Sequence, residues 1–168
     1  TEIETPARTV EIVERGIATA LQGRMGPVVI ALPEDILHDD GGPAPVRPVT
    51  PARAALDPAI AREIEGRLAK AARPLLIVGG SGWTHEAAHA LAAWSEALGL
   101  PITGSFRRKD IIANDRPNYA GDLGLGCNPK LMARAKNADL IIAIGARLGE
   151  NPTQGYTLFD RDHTARVL

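Results

Sequence analysis

With 168 residues and a net charge of −1, the chain has room for one ordinary domain and part of a second. It lacks the positive field that nucleic acid or an anionic membrane would require. Its 45% hydrophobic and 23% charged composition is that of a globular protein, and at 4% aromatic its core must be built from Ala, Leu, Ile and Val. The one cysteine, Cys127, excludes an intrachain disulfide and a CxxC metal site. The longest apolar runs fall far short of the roughly 20 residues of a membrane helix. No basic-then-apolar leader pattern opens the chain, and the expected address is cytoplasmic. A start on Thr1-Glu2 without methionine is what a processed or excised chain would show.

In chain order, Thr5-Pro6 reads as an N-cap and first helical residue, because proline lacks the amide proton that would be orphaned there. Val10, Val13, Ile17, Ala20 and Leu21 then recur at helical spacing until Gly23 and Gly26. Pro27 to Pro33 encloses the β-branched run Val28-Val29-Ile30, which reads as a buried strand with no local partner. Glu34 to Asp40 is acidic, without a calcium-loop pattern, and reads as a solvated run. Residues 41–51 hold four prolines and two glycines, the composition of a semi-rigid linker. Residues 1–40 therefore look like the tail of a preceding domain, and 52–168 like a second one.

Beyond the linker, helix and strand alternate. Asp57-Pro58 opens a helix with the stripe Ile60, Ile64, Leu68, Ala71. Leu75-Leu76-Ile77-Val78 is a continuous apolar run of the kind buried in parallel sheets, and it runs into Gly79-Gly80-Ser81-Gly82. Thr84 caps the next helix, with Ala87, Leu91, Trp94 and Leu98 expected on its inner face. Leu100 to Thr103 reads as a second strand, Asn128-Pro129 as a helix start, and Asp139 to Gly145 as a third strand. Ala165 to Leu168 reads as the start of a fourth. The alternation implies right-handed crossovers and an α/β, Rossmann-like parallel sheet with helices on both faces.

Ligands of such sheets bind where strands end at the topological switch point. Three segments fall at strand ends. Gly79-Gly80-Ser81-Gly82 lets backbone approach a phosphate near a helix N-terminus, or merely turns sharply; it is not a GxGxxG. Thr103-Gly104-Ser105-Phe106 precedes the basic run Arg107-Arg108-Lys109, which reads as a binding loop or a solvated one. Arg147, just past a strand, suits a diphosphate or carboxylate, or pairs with Glu150 or a carbonyl. His85 and His89 are four apart but have no third ligand, so no metal site is expected. Cys127 reads as a packed small residue. No G-x-S-x-G elbow supports Ser-His-Asp catalysis.

The ordered series 26–36, the Pro-rich linker, 73–82, 99–103, Tyr119 to Gly126 and Ala138 to Leu148 resembles the thiamine-diphosphate-dependent enzymes of the acetolactate synthase and 2-oxoacid decarboxylase group. The resemblance covers nearly the whole chain. It implies a central domain (52–168, truncated at its C-terminus) preceded by the end of a pyrimidine-binding domain (1–40). It also implies thiamine diphosphate and Mg2+ in the parent enzyme, bound by residues outside this chain, so that the chain alone is not catalytic. The parent would be a homodimer or homotetramer, with the rest of its own chain as partner, and without nucleic acid or membrane. In this group the central domain holds FAD, holds ADP, or is empty. The family's FAD contacts map onto Gly79, Gly80, Ser81, the Ser105-Phe106 loop and Arg147, and Gly82 of the same turn is a further cofactor-binding candidate. Flavin-binding relatives carry Asp-Asp-Arg after the arginine where this chain has Gly149-Glu150-Asn151, and the basic run suits an adenine nucleotide or CoA as well. The alternative is a self-sufficient flavin- or nucleotide-binding module resembling the FAD domain of electron-transfer flavoproteins.

Overall fold

The computed structural model describes residues 1–52, 55–159 and 166–167. It divides into two compact units, Thr1–Ala55 and Leu56–Leu168.

The first unit is built on helix α1 (Thr9–Leu21), entered through a 3-10 turn at Pro6–Arg8. Thr5 makes no side-chain cap; the Thr9 hydroxyl instead donates to Pro6 O at 2.7 Å. Ile12 and Gly16 form the buried line, with Ile30 Cδ1 only 2.8 Å from where a Cβ on Gly16 would sit. The stripe read from sequence is rotated away from this line: Val13, Ile17 and Leu21 are exposed. The expected strand over 27–33 reduces to one parallel bridge, Glu2↔Ala31. Ala31 N donates to Thr1 O and Ile3 N donates to Ala31 O, and Val29 is 79% exposed. A one-sided ladder with a bare outer face does not make a regular strand. The acidic run forms the short helix α2 (Glu34–Leu37). The Pro-rich stretch has no regular structure, but its Arg47 amide donates to the Glu14 carboxylate of α1.

The second unit is a parallel sheet in the order β3-β2-β1-β4-β5, with β1 Pro74–Val78, β2 Ile102–Ser105, β3 Tyr119–Leu123, β4 Leu140–Ile144 and β5 Arg166–Val167. Ala165 and Leu168 of the expected last strand lie outside the described residues. Helices α3 (Pro58–Leu68) and α4 (His85–Ala97) lie on one face and α5 (Pro129–Lys136) on the other. The strand pleat sorts the core accordingly. Leu76, Val78, Leu140 and Ile142 pack with Ile64, Leu91 and Ala92 on the α3/α4 face. Leu75, Ile77 and Ile141 pack with Leu131, Ala135 and Leu158 on the other.

All three helices start at caps legible in sequence. Asp57 accepts from Ala59 N at 2.8 Å, Thr84 from Ala87 N at 3.1 Å, and Asn128 from Lys130 N at 2.9 Å. The inner face of α4 differs from the expected one. Ala92 and Ser95 are buried, with Ala88, Leu91 and Trp94 beside them, while Ala87 and Leu98 are exposed. Ile60 of α3 is also exposed. β2 starts later than expected because Leu100 still belongs to the end of α4. Gly99 is left-handed (φ 60°), its amide donates to Glu96 O, and the Leu100 amide returns to Ser95 O at 2.8 Å. β3 carries no strand signal in sequence and is a short edge strand bulged against β2. Its register is held by the buried Thr103 hydroxyl donating to Gly121 O at 2.7 Å. The segment between β2 and β3 has no helix; it is anchored by buried Ile111 and Ile112.

Candidate functional site at the C-terminal edge of the sheet

The strand order reverses between β1 and β4, so the connections after these two strands leave toward opposite faces. The residues after β1 lead into α4, and Trp83 packs on the α3/α4 face. Those after β4 place Ala146 and Leu148 on the α5 face. This is the switch point, and the segments singled out from sequence meet at it.

Their contacts are close. A Cβ on Gly79 would lie 2.8 Å from Ser105 Cβ and 3.1 Å from Ala146 Cα. A Cβ on Gly80 would lie 2.0 Å from Gly145 O, and Gly80 sits at φ 72°. Both glycines are therefore required by turn-on-turn packing. Gly79 N donates to Ile144 O at 3.1 Å, and Gly79 O accepts the Trp83 indole N–H at 2.7 Å. The amides of Gly80, Ser81 and Gly82 donate to nothing among the described residues, and all three residues are exposed. Gly80 and Gly82 are both left-handed (φ 72° and 84°), the local geometry that gathers amides around an anion.

Arg147 follows Ala146, is exposed, and has no ion-pair partner among the described residues; neither Glu150 nor a carbonyl takes its guanidinium. Glu86 already occupies the positive end of α4. Its own amide and the Thr84 hydroxyl hold its carboxyl below the usual range. What remains for a ligand is the row of amides in the turn together with Arg147.

The Ser105-Phe106 loop divides. Ser105 is buried against Gly79, whereas Phe106 turns toward the end of β3, 3.5 Å from where a Cβ on Gly124 would lie. There, Phe106, Arg107, Lys109, Asp122, Gly124 and Leu125 line a basin of about 460 Å3. Arg107 is left-handed at φ 61° with its guanidinium 5.2 Å from the Phe106 ring centre. Strain at a non-glycine residue is a mark of functional positions. Arg108 is engaged by Asp110 at 3.0 Å, and that bond holds the Asp110 carboxyl below its usual range. A larger cleft, about 820 Å3, opens at the opposite edge of the sheet between Leu68, Trp94, Leu98 and Pro101, with Glu65, Arg73 and Arg134 also in its walls.

Sequence reasoning missed two participants. Trp83 was passed over because it precedes a cap, although a tryptophan beside a glycine turn offers both bulk and a donor. Asp122 was passed over because β3 itself was. Cys127 is half-buried against the core on the α5 face, and burial first and then Asp122 raise its thiol pKa. His85 and His89 lie 6.5 Å apart, ring centre to ring centre. Among the described residues no group of three His, Cys, Asp or Glu is placed to hold a metal ion.

Residues 61–167 match the family described as thiamine pyrophosphate enzyme, central domain. The chain belongs to the thiamine pyrophosphate enzymes. It is 38% identical over 106 residues to 3D-(3,5/4)-trihydroxycyclohexane-1,2-dione hydrolase of Shouchella clausii, covering 61% of this chain and 17% of that protein. It is 30% identical over 142 residues to the acetolactate synthase isozyme 2 large subunit of Escherichia coli (84% of this chain, 26% of that protein). It is also 30% identical over 149 residues to sulfoacetaldehyde acetyltransferase of Castellaniella defragrans, covering 86% and 24% respectively. The chain thus spans about a quarter or less of these relatives. Among solved structures, an enzyme from Mycobacterium smegmatis described as thiamin diphosphate-dependent superposes with a TM-score of 0.74 at 25% identity, over 99% of this chain and 32% of that one. Benzoylformate decarboxylase from Polynucleobacter necessarius shares the fold, with a TM-score of 0.75 at 24% identity over 99% and 30%. The fold class expected from the sequence, an α/β parallel sheet with helices on both faces, is the one found, with β3 as an added edge strand. No helix among the described residues is long and apolar enough to cross a membrane.

Proposed function

We propose that this chain is the middle portion of a larger thiamine diphosphate- and Mg2+-dependent carboligase or decarboxylase acting on 2-oxoacids, of the acetolactate synthase kind. In this reading, residues 1–40 are the end of the pyrimidine-binding domain, and the parent assembles as a homodimer or homotetramer in the cytoplasm. The chain's own task is scaffolding, with a crevice for an anionic ligand such as ADP, CoA or the diphosphate of FAD. The family match over 61–167 carries the proposal, on a sheet whose strand ends bring the glycine turn and the turn that carries Arg147 against one another. No step through thiamine diphosphate is assigned to residues of this chain; among the described residues no group of three His, Cys, Asp or Glu could hold a metal ion.

The test is turnover. Given thiamine diphosphate, Mg2+ and pyruvate, the polypeptide that carries this segment should release CO2, and the 168-residue chain alone should not. No CO2 release from that polypeptide would overturn the proposal, and a 168-residue chain that then also purifies yellow with stoichiometric flavin would favour a self-sufficient flavin module.

A further inference from the structure

His85-Glu86-Ala87-Ala88-His89 spells H-E-x-x-H at the start of α4. In a helix this pattern sets two imidazoles one turn apart on one face, where both reach the same zinc ion, with the glutamate between them as a base. Half of the pattern is built here. The two rings stand 6.5 Å apart, centre to centre, and are tilted by 37°. Two imidazoles that share an ion, each through a nitrogen about 2 Å from it, have ring centres about 5 Å apart. Each ring would therefore swing inward by less than about 1 Å, within the freedom of an exposed side chain.

The other half is missing. Glu86 is turned back on the helix end, where its own amide and the Thr84 hydroxyl hold the carboxylate. A hydrolytic zinc centre also needs a third protein ligand, and no group of three His, Cys, Asp or Glu is placed for one among the described residues. An open site asks less, and no structural duty accounts for the two histidines. Both are exposed, and neither imidazole has a hydrogen-bond or ion-pair partner among the described residues. Ala88, Leu91, Ala92 and Trp94 carry the core face of α4, and Thr84 supplies its cap.

We infer that His85 and His89 form an open chelate for one divalent transition ion of the zinc, nickel or copper type, with water in its remaining positions. Imidazole nitrogen suits these ions, whereas Mg2+ and Ca2+ seek oxygen. The Glu86 carboxylate, beside His85, offsets the positive end of the helix. An ion held in this way bridges the first turn of α4, and its water-filled positions accept a further donor.

Equilibrium dialysis of the full chain against Zn2+, with Mg2+ as competitor, tests this. Wild type should bind one Zn2+, and His85→Ala or His89→Ala should each weaken binding at least about tenfold, because the chelate loses its second, tethered ligand. Both variants should fold, since alanine on an exposed helical face favours the helix more than histidine does. His89→Ala combined with Ala87→His keeps the number of histidines and moves the second one to another face of α4. It should bind Zn2+ within about twofold of His89→Ala alone. Mg2+ should displace nothing. Absence of Zn2+ binding to wild type at up to about 1 mM overturns the site. Equal binding by wild type and His89→Ala, as at Cys127 or another histidine, overturns the chelate. Full affinity in the combined variant overturns it as well, by making the helical spacing irrelevant, and displacement by Mg2+ overturns ligation through imidazole.

Discussion

The two units of the chain use the same residue types to opposite effect. In the second, β1 is buried on both faces, with Leu75, Leu76 and Ile77 at 0% exposure and helices or packed loop over each side. In the first, Ile3 and Ile12 are buried, yet Val13, Ile17, Leu21, Val29 and Leu32 stand open along one helix and one extended run. The second unit satisfies the rule that a sheet must be covered by another layer; the first has an apolar face with no layer over it. An apolar segment is therefore structural only where something within the unit packs on it, and variants should separate the two units by size of effect.

The largest effect belongs in β1. Leu76→Ala removes a side chain packed against Ala92, Leu100 and Ile102, and should destabilise the second unit by about 4 kcal/mol. Trp83 and Trp94 both lie in this unit, so urea unfolding followed by tryptophan fluorescence reads it alone. A loss under about 1 kcal/mol would mean that this core closes over the gap and is no better packed than the first unit's.

Next is Gly80→Ala. The new Cβ would meet Gly145 O at 2.0 Å and sit at φ 72°, so overpacking and left-handed strain add to about 3 kcal/mol. The same titration measures it. Tolerance of alanine would show that the turns after β1 and β4 part easily, and the contrast with Gly99→Ala, where nothing lies within 4 Å, would vanish.

Asp139 gives a smaller, pH-dependent effect. Its carboxylate takes the amides of Ala72 and Arg73, both at 2.8 Å, and so ties the starts of β1 and β4. Desolvation pushes this pKa up, but the amide bonds from Arg73 and Ala72 outweigh it and the net direction is down. A lowered folded pKa means stabilisation that is complete above the ordinary carboxylate range, near about pH 4, and is lost as pH falls through the lowered value. Asp139→Ala should cost on the order of 1 kcal/mol at neutral pH, held low by solvent exposure. Its urea midpoint should also fall less than the wild type's between neutral and acid pH. Parallel loss in both proteins would remove Asp139 from the account.

What was legible in sequence follows from the same contrast. β1 and β4 read correctly because burial on both faces demands unbroken Leu, Ile and Val, and Asp57, Thr84 and Asn128 read as caps because capping is local chemistry. β3 was invisible: Tyr119-Ala120-Gly121-Asp122-Leu123 has neither alternation nor a β-branched residue, and its register comes from Thr103 on the neighbouring strand. The run 28–32 misled because composition signals a buried strand, whereas burial needs neighbours this unit does not supply. At the candidate site the glycines and Arg147 were legible, but the reason for Gly79 and Gly80 was not. Only the folded turns show that Ser105, Gly145 and Ala146 leave no room for a side chain.

The smallest effect tests the first unit. Ile17 is 44% exposed on α1, beside Val13 at 37% and Leu21 at 43%. Replacing it with serine removes a branched side chain from the middle of a helix, which in the second unit's core would be ruinous. Here it should change stability by less than about 0.5 kcal/mol, because the side chain is already largely in water and serine lowers helix propensity only modestly. The tryptophans are silent for this unit, so the measurement is amide exchange along α1 together with limited trypsin digestion at Arg24, in the exposed turn after the helix. Exchange and cleavage rates for Ile17→Ser should match wild type within about twofold. A loss of several kcal/mol would show that the 13–17–21 face is buried when the chain is in solution. The difference between the two units would then lie in what covers them and not in how their sequences fold.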